Sequence, residues 1–134
     1  MVTLELPYPP TANTIWRRGK TRLGKSVTYL NPKYKAWQNE ANGMYQQQKA
    51  AKTIGTPIAG PFEVHLTFSD KKRRKGSDLD NRVKPVLDQM QRLGVIENDS
   101  LAERVTACWG PVPGVFIRAF KHIATSNGIE SKAT

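Results

Sequence analysis

The stretch from Lys71 to Asp99, KKRRKGSDLDNRVKPVLDQMQRLGVIEND, concentrates residue types that can handle a phosphodiester. Lys71, Lys72, Arg73, Arg74 and Lys75 run up to an Asp-x-Asp-Asn unit, Asp78 to Asn81, and Lys84 and Asp99 follow. Side chains alternate in an extended segment, which would put Asp78 and Asp80 on one side and Leu79 on the other. Two carboxylates held that close repel unless a cation sits between them. Magnesium, or manganese in its place, suits the pair because hard divalent cations take a few carboxylate oxygens and keep positions open for water and phosphate. Lys84 lies four residues beyond Asp80, so once a helix has begun it emerges near the same face. There it can stabilise charge that builds on a phosphate as the leaving oxygen departs.

Asp-x-Asp alone is a weak signal, found by chance, in helix-capping turns and in unrelated metal enzymes. Context argues against two enzyme classes. Aspartate-nucleophile phosphotransferases place the motif directly after an apolar strand, whereas here it follows KKRRKGS. Nucleotide-sugar transferases carry it in a much larger nucleotide-binding domain. Neither class accounts for a net charge of +10, from 21 Lys and Arg against 11 Asp and Glu. That imbalance describes partners more than fold, and nucleic acid leads. An anionic membrane is the competitor, but the sequence has no long apolar run, N-terminal h-region or lipidation signal. With Cys108 as its single cysteine the chain forms no internal disulfide and no thiolate zinc site, which fits a reducing, cytoplasmic setting and a passive, partly buried thiol.

The elements that must position these residues follow from periodicity. At 134 residues the expectation is one α+β domain spanning 1–134, a mixed β-sheet with two main helices in the order β-α-β-α-β-β. Val2 to Leu6 alternates as a half-buried strand ended by Pro7, Pro9 and Pro10. Residues 11–30 hold no acid but carry Arg17, Arg18, Lys20, Arg22 and Lys25, with Trp16 and Tyr29 near the ends. They read as a basic loop or loose hairpin, either simply solvated or facing nucleic acid, with a short strand at 27–30. Asn31-Pro32 opens a helix to about Ala51, with Tyr34, Trp37, Ala41, Met44 and Tyr45 inward and Lys35, Gln38, Asn42, Gln46 and Lys49 outward. Phe62 to Phe68 is the clearest strand, leaving His65 on a solvent face.

Val83, Val86, Leu87, Met90 and Leu93 define a second helix, capped by Gly94 and starting between Asp80 and Arg82 because of Pro85. Residues 101–109 and 115–123 are strand-like and predict a C-terminal antiparallel hairpin, with His122 structural. Residues 124–134 are small and polar and read as a flexible tail.

Asp78-Leu79-Asp80-Asn81, Lys84 within the KPVLD run, Gly94 and the distal Asp99 together resemble the RusA family of Holliday junction resolvases, common in bacteriophages and prophages. PYPPTAN, Pro7 to Asn13, is similar to the family's Pro-Pro and Asn opening. The resemblance spans most of the chain. It implies a metal-dependent endodeoxyribonuclease that resolves four-way DNA junctions by paired symmetric nicks in recombination and repair, working as a homodimer on branched DNA. It assigns the metal to Asp78, Asp80 and Asp99 and the catalytic lysine to Lys84. It gives junction phosphates to Lys71, Lys72, Arg73, Arg74 and Lys75. Asn13, Arg17, Arg18, Lys20 and Arg22 form the second expected DNA surface. Two departures stand out: Gly76 and Ser77 interrupt the approach of the basic run to Asp78, and Asn98 precedes Asp99 where a second acid is frequent. The reading from a different class is a non-catalytic basic DNA- or RNA-binding protein whose carboxylates cap a helix.

Overall fold

A computed structural model of the chain describes residues 1–74, 76 and 78–123. The expected tail at 124–134 and the side chains of Lys75 and Ser77 lie outside the described residues. Eight main elements follow in order: β1 (Val2–Leu6), β2 (Trp16–Lys20), β3 (Ser26–Leu30), α1 (Pro32–Ala50), β4 (Phe62–Ser69), α2 (Asp80–Leu93), β5 (Ala102–Gly110) and β6 (Val115–Lys121). The α+β class and the two helices agree with the sequence expectation. The acid-free segment takes the hairpin form of its two expected forms, a separate antiparallel ribbon of β2 and β3 that includes the short strand expected at 27–30, so the order gains two strands.

The main sheet runs β1-β6-β4-β5, with β4 at its interior, antiparallel to β6 and parallel to β5. This corrects the pairing expected at the C-terminus. Strands β5 and β6 do run in opposite directions across a short turn, but β4 lies between them, so they share no ladder. Alternating burial explains the arrangement: Phe62, Val64, Leu66 and Phe68 of β4 are all 0% exposed. A strand so apolar on one face gains most from neighbours on both edges. The turn into β6 also needs Gly114, where any Cβ would collide with the Leu6 carbonyl and the Pro7 backbone.

One face of the sheet carries Val2, Leu4, Leu6, Val115, Ile117 and Ala119 beside the β4 residues, buried with Tyr34, Trp37 and Ala41 of α1 and Val86, Leu87 and Met90 of α2. Gln38, expected outward, is 8% exposed, because α1 turns more of its circumference inward than its apolar residues alone indicate. Asn42 also leaves the solvent face, accepting a 2.7 Å bond from Gln89 of α2. The free edge of β1 is covered: Gln48 bonds the Glu5 N–H at 2.8 Å and its carbonyl at 2.7 Å. Cys108 corrects another expectation, being exposed rather than partly buried. His122 is structural as expected, bonded to Glu63 at 2.9 Å, while His65 is half-buried and stacked on Phe120.

Asn31 joins the ribbon to this core. It is 5% exposed and accepts from Lys33 N at 3.0 Å as the α1 N-cap. Its side-chain amide donates to the Thr14 carbonyl at 2.7 Å, and its backbone N–H donates to the Ile15 carbonyl at 2.8 Å. Asn31→Ala removes the cap and one of the two ties to the ribbon, so it should cost about 1–2 kcal/mol of stability. A circular-dichroism melt would show a transition several degrees lower, with Asn31→Asp recovering the cap but not the amide donor.

Candidate active site

The stretch from Asp70 to Leu101 is the crossover between two parallel strands. It leaves β4 through a 3-10 turn at Asp70–Lys72, runs down α2 and passes through a second turn at Asp99–Leu101 into β5. Its apolar positions pin one side of α2 into the core. Asp80, Lys84, Asp88 and Gln91 fall at steps of four, four and three on another side, forming a polar stripe.

Asp78 and Asp80 do meet, though not by strand alternation. Leu79 is helical, with φ −62° and ψ −43°, so the pair is gathered by the first turn of α2 rather than by an extended segment. The Asp78 carboxyl is held above its usual range, first by the hydrogen bond it shares with the Asp80 side chain, then by desolvation and by the Asp80 charge. The Asp80 backbone N–H acts in the opposite sense, and the Asn81 side-chain amide donates to Asp78 at 3.3 Å. Two carboxyls set this close at a helix N-terminus, where negative charge is favoured, are of the type that can hold a hard cation.

Asp99 stands in a different setting. Its backbone N–H donates to Gln91 Oε1 at 2.9 Å, and Asn98 caps the turn by accepting from Ser100 N at 2.9 Å. Its carboxylate accepts from Lys84 Nζ at 2.8 Å, and Asp88 binds the same ammonium at 3.0 Å. The two carboxylates push the Lys84 ammonium above its usual range, the hydrogen bond to Asp99 first and that to Asp88 next, and Lys84 in return lowers the Asp99 carboxyl. Gln91 lies eleven residues past Asp80, roughly 16 Å along the helix axis, so Asp99 is docked well down α2. Among the described residues no three His, Cys, Asp or Glu side chains converge as a metal cluster. The structure therefore gathers Asp78 with Asp80, and Lys84 with Asp88 and Asp99, as two adjoining groups.

Sequence reasoning missed Asp88. Its signal was present in the four-residue step from Asp80 to Lys84 to Asp88 within the same helix.

Arg82 was missed too. It donates from Nη1 to the Pro9 carbonyl at 2.6 Å, and its guanidinium lies 4.8 Å from the centre of the Tyr8 ring. This ties the Pro7 to Asn13 segment onto α2 across a separation of 73 residues. Asn13 is exposed in a 3-10 turn, Ala12–Thr14, that packs beside α2.

Of the basic run, Lys71 to Arg74 are exposed. Arg73 lies 5.6 Å from the centre of the Trp109 ring, and Arg74 folds back to the Lys71 carbonyl at 3.1 Å. Arg17, Arg18, Lys20 and Arg22 are exposed on the ribbon and its turn. Glu97 accepts from Gly60 N at 2.9 Å and serves a loop. No helix among the described residues is long and apolar enough to cross a membrane.

Comparison with known proteins identifies the family. The family model described as Endodeoxyribonuclease RusA matches residues 7–119. The chain is also 31% identical over 110 residues to the crossover junction endodeoxyribonuclease rusA of Enterobacteria phage HK97, an alignment covering 81% of this chain and 83% of the phage protein. With the matched region running from the Pro9 anchor through both acidic groups to β6, the chain belongs to the RusA endodeoxyribonuclease family.

Proposed function

We propose that this protein is a magnesium-dependent endonuclease that cuts four-way DNA junctions by paired, symmetric nicks, acting as a homodimer in recombination and repair. The observation that carries the reading is the placement of Asp78 and Asp80 on either side of the helical Leu79, at the top of α2, in a chain of net charge +10. The relative's name, a crossover junction endodeoxyribonuclease, supports the substrate. The two equivalent strands of a four-way junction suit a two-fold dimer.

Asp78 and Asp80 fit a hard divalent cation through their carboxylate oxygens, and magnesium or manganese would be held there. The family resemblance adds Asp99 to that donor set; here it is bonded to Lys84 and docked at Gln91, so it would join the pair on releasing Lys84 and moving toward the top of α2. Such an ion, when bound, supplies Lewis-acid polarisation of the phosphodiester and a more acidic water. The rest of the work falls to the chain. Asp88 keeps Lys84 oriented when Asp99 turns away, and the ammonium then neutralises charge developing on the phosphate. Lys71 to Arg74 and the ribbon's cations hold the DNA backbone, an attraction that weakens steeply with salt. Arg82 holds Pro9, and with it the segment leading to the ribbon, in register with the helix that carries the acids.

A labelled four-way junction incubated with magnesium should yield symmetric paired nicks, and chelation should stop them. Asp80→Asn should lower the cutting rate by on the order of 10²–10³-fold or more while leaving junction binding largely intact. Binding without any magnesium-dependent cutting would favour a non-catalytic DNA-binding role in which the carboxylates only balance the basic loops.

Lys84 and Asp88 act as one unit in this scheme, so their losses should not add. The double variant Lys84→Ala/Asp88→Asn should cut no more slowly than Lys84→Ala alone in single-turnover assays. Additive losses would show that Asp88 acts apart from Lys84.

A further inference from the structure

The β2–β3 ribbon presents an unusual aromatic. Trp16 is 62% exposed, leaving on the order of 150 Å² of indole in solvent on the usual size of such side chains. Its backbone is nevertheless fixed, because the two preceding carbonyls, Thr14 and Ile15, are both held by the buried Asn31. Ile15 itself is 9% exposed. The ring therefore projects from a rigid mount.

The ribbon's two faces differ. Trp16 pairs with Leu30, Arg18 with Thr28 and Lys20 with Ser26, so alternation puts Trp16, Arg18 and Lys20 on one face at steps of about 7 Å. On the other face Tyr29 lies against Gly19, where an added Cβ would come within 2.9 Å of the Tyr29 ring. Tyr29 is thus partly satisfied by its own ribbon. Trp16 instead opens onto a shallow groove shared with Arg17, Arg18 and Thr28, which offers hydrogen-bond donors beside an aromatic plane. Residues 11–30 contain no acid, so the surface has the sign a nucleic acid requires.

We infer that Trp16 reads the branch point: a base whose stacking is interrupted at the strand crossover lies on the indole, while Arg18 and Lys20 hold the flanking phosphates. Within a duplex every base face is already covered, so the stacking contact is available only where the helix is interrupted. Cations on the same face bind any DNA backbone, and the aromatic adds the structural preference. Aromatic platforms of this kind tolerate any base, because each has a π-face. Through Arg82 and Pro9 the ribbon's base is tied to α2, which sets the distance from branch point to cut. This inference rests on the junction reading above and assigns the residue that recognises the branch.

The test uses the full-length protein without divalent metal and a four-way junction carrying 2-aminopurine beside the crossover or, separately, inside one arm. The wild-type protein should change the crossover probe's fluorescence and leave the arm probe alone. Trp16→Leu should abolish that change and weaken junction binding about 5- to 150-fold, while binding to linear duplex of equal length shifts less than about twofold. Trp16→Phe should restore much of both. Arg18→Ala should weaken junction and duplex alike and flatten the log–log salt dependence by about one.

The proposal is overturned if Trp16→Leu weakens junction and duplex equally. It is also overturned if the crossover signal survives in that variant, or if sedimentation shows that the substitution acts by changing the subunit state. If the wild-type protein neither prefers nor cuts junctions, the junction reading itself fails. If it does both and the signal ignores Trp16, only the present inference falls.

Discussion

The parallel pairing of β4 with β5 is the constraint on which the rest of the molecule depends. Parallel neighbours cannot be joined by a tight turn, so the chain must return across a face of the sheet before the second strand begins. That return is the whole acidic and basic stretch. The basic run leaves the end of β4, Asp78 and Asp80 open the helix, Lys84 and Asp88 lie along it, and Asp99 sits in the turn before β5. Because Val86 and Met90 are fully buried on the far side of α2, the direction of the polar stripe is set by apolar burial. The ion pairs it carries are too exposed to supply much stability. Their value is positional.

Charge is distributed with the same economy. In a strongly basic chain the acids near α2 are each engaged: Asp78 with Asp80, Asp88 and Asp99 with Lys84. A lysine held by two carboxylates stays charged and stays put. The arrangement keeps an ammonium beside the acidic pair without committing it to a buried, desolvated bridge, whose cost can exceed its gain. Arg82 shows the other strategy, its guanidinium set over the Tyr8 ring with one N–H on the Pro9 carbonyl. It links the N-terminal segment, and through it the ribbon, to the helix that carries the acids.

Much of this was legible before any fold was known. The alternation in Phe62–Ser69, the Asn31-Pro32 start of α1 and the Gly94 cap of α2, in the left-handed region at φ +79°, were readable because they depend on neighbours within a turn or two. The residue types of the site were equally plain. Other features resisted. The ribbon at Trp16–Lys20 has no apolar alternation, since both its faces are wet, so the sequence left it open between loop and hairpin. Gln38 and Cys108 were misplaced because burial of a polar or small residue depends on what packs over it.

Local chemistry sufficed for the periods of the helices and central strands, the position of the caps and the concentration of acids and cations between Lys71 and Asp99. These are local properties of side-chain size, branching and charge. Folding in three dimensions added that β4 separates β5 from β6, that Leu79 is helical so that Asp78 and Asp80 meet through a turn, and that Asp99 faces Lys84 and Asp88. It also decided that Arg82 reaches back to Pro9. Apart from the local turn at Leu79, those pairings join residues distant in sequence, and they are fixed by how two helices and a sheet jointly bury their apolar faces, which no local pattern encodes.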